Sequence, residues 1–97
     1  MFRLKRMRVA RRFVVGGQVQ GVGFRWFTHR AAIREGVTGY VRNRSDGTVE
    51  AYVEGELDSV TRLERAIRNG PPGARVEDVT VIDEEPGGAY KTFSIDH

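Results

Sequence analysis

The sequence predicts an α+β domain: a mainly antiparallel sheet with two helices packed on one of its faces. Three observations carry this. Short stretches of apolar residues alternate with polar ones in the period of a strand, and two longer stretches space them as on one face of a helix. Glycine or proline stands at the changes between the two patterns. The chain has 97 residues, enough for one modest core and too few for two.

The elements follow in order. Residues 8–19 mix arginines with Val9, Phe13, Val14, Val15 and Val19, a β-rich composition that predicts a first strand. After a run of glycines, Phe24, Phe27 and Ala31 recur at spacings of three and four, which predicts a helix, and Gly36 is placed to cap it in the left-handed conformation. Val37, Gly39 and Val41 then alternate with Thr38, Tyr40 and Arg42, a second strand. Asp46-Gly47 supplies a tight hairpin turn, and Val49, Ala51 and Val53 alternate with Glu50, Tyr52 and Glu54 on the returning strand, ended by Gly55. Leu57, Val60, Leu63 and Ile67 make a second amphipathic helix, with Asp58 and Ser59 favouring its N-terminus, until Asn69-Gly70-Pro71-Pro72 stops it. Val76, Val79, Val81 and Ile82 predict a further strand, and Phe93 and Ile95 a short final one. Strand, helix, strand, strand, helix, strand is the βαββαβ order of a ferredoxin-like sandwich. That fold hosts many functions, so function has to be argued from a site.

Composition removes several classes of function. There is no cysteine, which excludes disulfides, thiolate metal sites and cysteine nucleophiles. Two histidines, His29 and His97, are too few for a histidine-rich metal centre, so no metal and no cofactor is expected. No apolar run is long enough to cross a membrane, and no hydrophobic stretch follows the N-terminal charges as in a secretory signal. A cytoplasmic location is the default. The net charge of +3 is a local property: Arg3, Lys5, Arg6, Arg8, Arg11 and Arg12 fall within the first 12 residues, and without them the chain carries −3. Such an arm attracts phosphate polymers, but a short basic end is more often solvated and frayed. Nucleic acid is therefore not the expected partner.

The stretch from Gly16 to Arg25, GGQVQGVGFR, holds four glycines and one charge, placed last. Two familiar phosphate motifs fail here. A dinucleotide fingerprint would need a third glycine where Trp26 stands, and a Walker loop would need lysine at Val22. What remains is a glycine-rich connection between a strand and a helix start, where successive N–H groups converge on an anion and the helix dipole assists. Arg25 then sits in the first helical turn, where the dipole slightly disfavours a cation, yet its planar fork suits phosphate oxygens. By itself Arg25 reads equally as an exposed helix residue. Asn43 ends the second strand, at the sheet end that this fold brings near the glycine loop, and alone reads as a turn residue. The sequon Asn43-Arg44-Ser45 has no meaning without secretion.

Gly17–Arg25, GQVQGVGFR, followed by Gly39–Gly55, GYVRNRSDGTVEAYVEG, closely resembles the acylphosphatase family. Its two signatures are G-x-V-Q-G-V-x-F-R and G-aromatic-V-basic-N-x-x-x-G-x-V with a glycine six residues later, and both are matched in order. The resemblance runs from about Val9 to Ile95. It implies hydrolysis of carboxyl–phosphate anhydrides without metal or cofactor, by a small monomeric enzyme acting on a small-molecule acyl phosphate. It implies that Arg25 is the phosphate-binding catalytic arginine and that Asn43 orients the attacking water. Backbone N–H groups of Val19, Gln20, Gly21 and Val22 would complete the phosphate cradle. The two motifs contain nothing addressed to the acyl group, so broad acyl specificity is expected.

The chemistry suits so sparse a set. The leaving carboxylate has a conjugate acid of pKa roughly 4, by analogy with aspartate and glutamate, and departs unprotonated. Phosphoryl transfer through a loose transition state rests on positioning and on stabilising charge. Residues 9–97 are read as the domain and 1–8 as a basic extension outside the resemblance, with Met7 an alternative start. Asp96-His97 departs from the basic–aromatic pair common in the family, and Arg44 replaces a small hydroxyl residue, either adding positive potential or facing solvent. Two other readings stay open. One is a stand-alone relative of the acylphosphatase-like domain of carbamoyl-transfer maturation proteins, binding or hydrolysing carbamoyl phosphate. The other is an RNA-binding module on the same fold, for which Thr48–Gly55, TVEAYVEG, with one aromatic and two acids, is a poor platform.

Overall fold

Phe13 and Val15 project from one face of the first strand, β1 (Arg8–Gln18), and are fully buried beneath two helices. A computed structural model describes residues 7–97; the basic segment at 1–6 lies outside the described residues. After β1 come α1 (Phe24–Glu35), β2 (Thr38–Asn43), β3 (Val49–Glu56), α2 (Leu57–Asn69), β4 (Arg75–Glu84) and β5 (Phe93–Asp96). One sheet has the order β4-β1-β3-β2-β5. All neighbours are antiparallel except β2 and β5, which are parallel. This is the ferredoxin-like arrangement, extended by β5 beside β2.

The core lies between the sheet and the two helices. Val41, Val49, Ala51, Val53 and Phe93 face Val60, Leu63 and Ile67 of α2 and Phe24, Ala31 and Ala32 of α1. Full burial of a side chain such as Leu63 or Ile67 stabilises the fold by about 1.5–3 kcal/mol. On α2 Val60, Leu63 and Ile67 are buried as predicted, whereas Leu57, the first residue of the helix, is only half-buried. On α1 the stripe differs: the buried positions are Phe24, Thr28, Ala31 and Ala32, and Phe27 is only half-buried against the Phe24 ring. Apolar spacing misses Thr28 because its methyl packs as a valine would while its hydroxyl labels it polar. That hydroxyl has no hydrogen-bond partner among the described residues.

Two turns are also more elaborate than expected. The β2–β3 connection spans residues 44–48, closed by Arg44 N–H to the Thr48 carbonyl at 2.8 Å, and Asp46 Oδ1 accepts from the Thr48 N–H at 3.0 Å. It is thus a longer loop pinned by an aspartate, and only Gly47 takes positive φ. Gly16-Gly17, for its part, belongs to β1, where the pairing with β4 shifts register. The connection to α1 is therefore only Val19–Gly23.

The face of the sheet away from the helices is covered too. Glu50, Tyr52 and Glu54 of β3 point to that side and are nonetheless buried. The segment 85–92 crosses over them: Gly88 N–H donates to both Glu54 carboxylate oxygens at 3.1 Å, and the Tyr90 ring packs on Tyr40 and Tyr52. Beside it, Glu50 accepts from Arg12, from Arg42 Nε at 2.9 Å and from the Tyr40 hydroxyl at 2.8 Å. Burial pushes the Glu50 carboxyl up, but hydrogen bonds from Tyr40, Arg42 and Arg12 outweigh it and hold the group below the usual carboxylate range.

Thr28→Val should stabilise the protein by about 1 kcal/mol by removing an unsatisfied buried hydroxyl at constant shape, read as a raised urea midpoint. A lowered midpoint would mean that the hydroxyl has a partner. A depressed folded-state pKa makes the Glu50 contribution fully present above the ordinary value of 4.5, and lost as the pH falls through the lower folded-state value. Stability should therefore fall steeply on acidification below that point, and Glu50→Gln should be less stable at pH 7 with a shallower acid decline.

Candidate active site

β3 runs antiparallel to both β1 and β2, so β1 and β2 end at the same edge of the sheet; β5, parallel to β2, ends there as well. That edge gathers the Val19–Gly23 loop with the start of α1, Asn43 at the end of β2, and Asp96-His97 at the end of β5. A cleft of about 200 Å³ opens between them, lined by Val19, Gly21, Gly23, Phe24, Arg25, Trp26, Asn43, Ile95 and His97.

The loop owes its shape to two glycines. Gly21 has φ 76° and Gly23 φ 78°, with Val22 at negative φ between them. A Cβ at either glycine would meet nothing within 4 Å, so it is the left-handed backbone that requires glycine, not crowding. Alternation in the sign of φ turns successive N–H groups toward one side, the geometry of an anion-binding concavity. Gly23 is also the residue before α1, and no side chain caps the helix there. Its first-turn N–H groups therefore remain available at the positive end of the dipole.

Of the four loop residues predicted from sequence, Val19 and Gly21 line the cleft. Val22 packs against the core instead. Gln20 turns its carboxamide the other way, donating to the carbonyls of Arg44 at 2.8 Å and Thr48 at 2.9 Å. One side chain thus ties the loop to the turn that follows Asn43, a bracing role the spacing of the motif does not announce. Val19 is itself almost fully buried, which anchors the loop from below.

Arg25 Nη1 donates to the Asp96 carbonyl at 3.3 Å and lies 3.3 Å from His97 Nδ1. Among the described residues no carboxylate lies within ion-pair distance of it. Arg11, Arg12, Arg42, Arg44, Arg62 and Arg68 each do have an acidic partner. Arg44 in particular turns to Asp46 at 3.8 Å, within its own loop. The uncompensated guanidinium beside the amide concavity gives the cleft a positive character. Asn43 is exposed and shares the helix-facing side of β2 with Val41, so its side chain enters the cleft from the side opposite α1. No group of three or more His, Asp or Glu residues that could hold a metal occurs among the described residues.

Trp26, Ile95 and His97 were not predicted as cleft residues. Trp26 directly follows Arg25, so its position carried a signal; Ile95 and His97 reach the site only because β5 pairs with β2.

Fold and cleft together define a small ferredoxin-like domain with a glycine loop, an arginine and an asparagine gathered at one sheet edge. The family model described as Acylphosphatase matches residues 11–95. An acylphosphatase of Pyrobaculum aerophilum is 53% identical over 91 residues, covering 92% of this chain and 96% of that protein. The crystal structure of acylphosphatase from Bacillus subtilis superposes with a TM-score of 0.88 at 36% identity, covering 92% of this chain and 99% of that one. Full-length HypF in a phosphate- and nucleotide-bound form matches with a TM-score of 0.86 at 33% identity, over 94% of this chain but 12% of that protein. The chain belongs to the acylphosphatase family, hydrolases that act on acyl phosphates.

Gln20→Ala should lower kcat/KM on a small acyl phosphate roughly tenfold to a hundredfold, because displacement of a positioned loop by about 1 Å costs on that order. Gln20→Glu should lose more, since a carboxylate would face two carbonyl oxygens. Wild-type rates in both variants would show that the brace has no bearing on the cleft.

Proposed function

We propose that this cleft hydrolyses carboxyl–phosphate anhydrides, with residues 9–97 as the catalytic domain and 1–8 as an extension. The observation that supports it most is the meeting of Arg25, without an acidic partner, and Asn43 with the glycine loop in one cleft. The backbone N–H groups of Val19, Gln20, Gly21 and Val22 and the Arg25 guanidinium hold the phosphate oxygens. The Asn43 carboxamide holds a water in line with the bond to be broken. The water oxygen attacks phosphorus while the phosphorus–oxygen bond to the acyl group breaks, its electron pair leaving on the carboxylate. Asparagine is a poor base, so one water proton passes to a phosphate oxygen of the substrate while the other stays on the attacking oxygen, giving carboxylate and dihydrogen phosphate.

Charge on the equatorial oxygens grows as the bond loosens, and Arg25 and the loop amides stabilise it without reorganising. Because the carboxylate leaves unprotonated, no general acid is needed, which agrees with a cleft whose one imidazole contacts Arg25. The proposal includes a monomeric, cytoplasmic enzyme that works without metal; the cysteine-free composition supports that location. No helix among the described residues is long and apolar enough to cross a membrane. Carbamoyl phosphate as a dedicated ligand has less support, since the match to HypF covers a small part of that protein while the relatives matched along most of their length are acylphosphatases.

Purified protein should hydrolyse acetyl or benzoyl phosphate, and a chelator should leave the rate unchanged. Arg25→Ala should lower kcat/KM by about a thousandfold or more and weaken inorganic phosphate binding. Asn43→Ala should lower kcat by about a hundredfold or more while phosphate binding stays within a few-fold. An inactive wild type, or full rate in either variant, would sink the proposal.

A further inference from the structure

Trp26 is the single tryptophan of the chain, and it is 59% exposed on the rim of the cleft. An aromatic ring of this size left half in water on the first turn of a helix contributes little to the core. Its orientation is nonetheless defended. The Arg30 guanidinium, one turn further along α1, lies 4.8 Å from the ring centroid, in cation–π contact. One face of the indole is therefore occupied, and the ring is held rather than free to sweep through solvent.

The direction of the reaction says what the ring is near. Resting on the hydrolase proposal above, in-line displacement places the attacking water and the leaving carboxylate on opposite sides of the phosphorus. Asn43 marks the water side. The acyl group must then project away from β2, past Arg25 and toward the mouth of the cleft. Apart from Val19 and Phe24, which are buried in the core, the cleft-lining side chains that the phosphate and the water do not use are Trp26, His97 and the half-buried Ile95. They form a mainly apolar lip next to an otherwise polar site. Trp26 stands one residue beyond Arg25, so the helix presents it about 100° round from the phosphate-binding side chain, beside it and not behind it.

We propose that Trp26, steadied by Arg30, is the specificity-determining contact for the acyl group, and that the site favours aromatic acyl phosphates over small aliphatic ones. The ring offers area and an edge or face to an aroyl group; to an acetyl group it offers almost nothing. Aromatic pairs in this geometry yield discrimination of up to about tenfold. Trp26 acts on affinity for one class of substrate, not on the bond-breaking step, so its effect belongs in KM.

The test compares benzoyl phosphate with acetyl phosphate in wild type, Trp26→Ala, Trp26→Phe and Arg30→Gln. Trp26→Ala should lower the ratio of kcat/KM values, benzoyl over acetyl, by about tenfold through KM for benzoyl phosphate, and Trp26→Phe should recover most of it. Arg30→Gln should lower the ratio in part with the ring still present. An unchanged ratio in Trp26→Ala, with wild type active on both substrates, overturns the inference and leaves the hydrolase proposal standing. Wild type inactive on both overturns the two together. A second measurement needs no variant to fold: saturating benzoylphosphonate should shift or quench the emission of Trp26, whereas saturating inorganic phosphate should leave it nearly unchanged. Identical responses to the two would also overturn it.

Discussion

β3 is antiparallel to β1 on one side and to β2 on the other, and its pairing with both continues to Val49, opposite Val15 and Asn43. That register forces the two flanking strands to finish at one edge of the sheet, with a strand between them. Two strand spacings, about 10 Å, then separate Val15 of β1 from Asn43 of β2, and the Val19–Gly23 loop leaves β1 just beyond Val15. The central strand can serve as this frame because it is buried on both faces, by the helices on one and by the 85–92 segment on the other.

The same frame separates two uses of arginine. On the face crossed by residues 85–92, Arg12 and Arg42 are spent on Glu50, whose burial is tolerable only because those two guanidinium groups and the Tyr40 hydroxyl surround it. At the sheet edge, Arg25 has a carbonyl and an imidazole as neighbours but no acid. Its charge is positioned without being neutralised. The bond from Gln20 to the 44–48 loop completes the arrangement by tying the glycine loop to the turn that follows Asn43, so that their separation does not depend on the loop's own glycine-rich backbone.

Much of this was legible in the residues. The alternation in 37–42 and 49–54 and the spacing of Val60, Leu63 and Ile67 are local consequences of strand and helix periods, and the structure repeats them. Arg25 and Asn43 were legible for another reason: each stands in a long motif whose residue types have a chemical purpose. Thr28 was not read as a core position because its polar label hides an inward side chain. Gly16-Gly17 was grouped with the cradle because sequence does not distinguish a strand irregularity from a loop. The carboxamide of Gln20 was assigned only its backbone, since its partners are carbonyls more than twenty residues away.

The sequence by itself determined the order of the elements and the family to which the chain belongs, because the first follows from periodicity and the second from two long motifs matched in order. Only the tertiary structure decided what lies around the motif residues. The burial of Glu50 and Glu54 depends on a segment some thirty residues on folding across the sheet. The presence of Ile95, His97 and a braced Trp26 at the mouth of the cleft depends on β5 pairing with β2 and on α1 turning the indole over Arg30. Contacts of that kind arise from the packing of distant stretches of chain, which no local pattern of residues records.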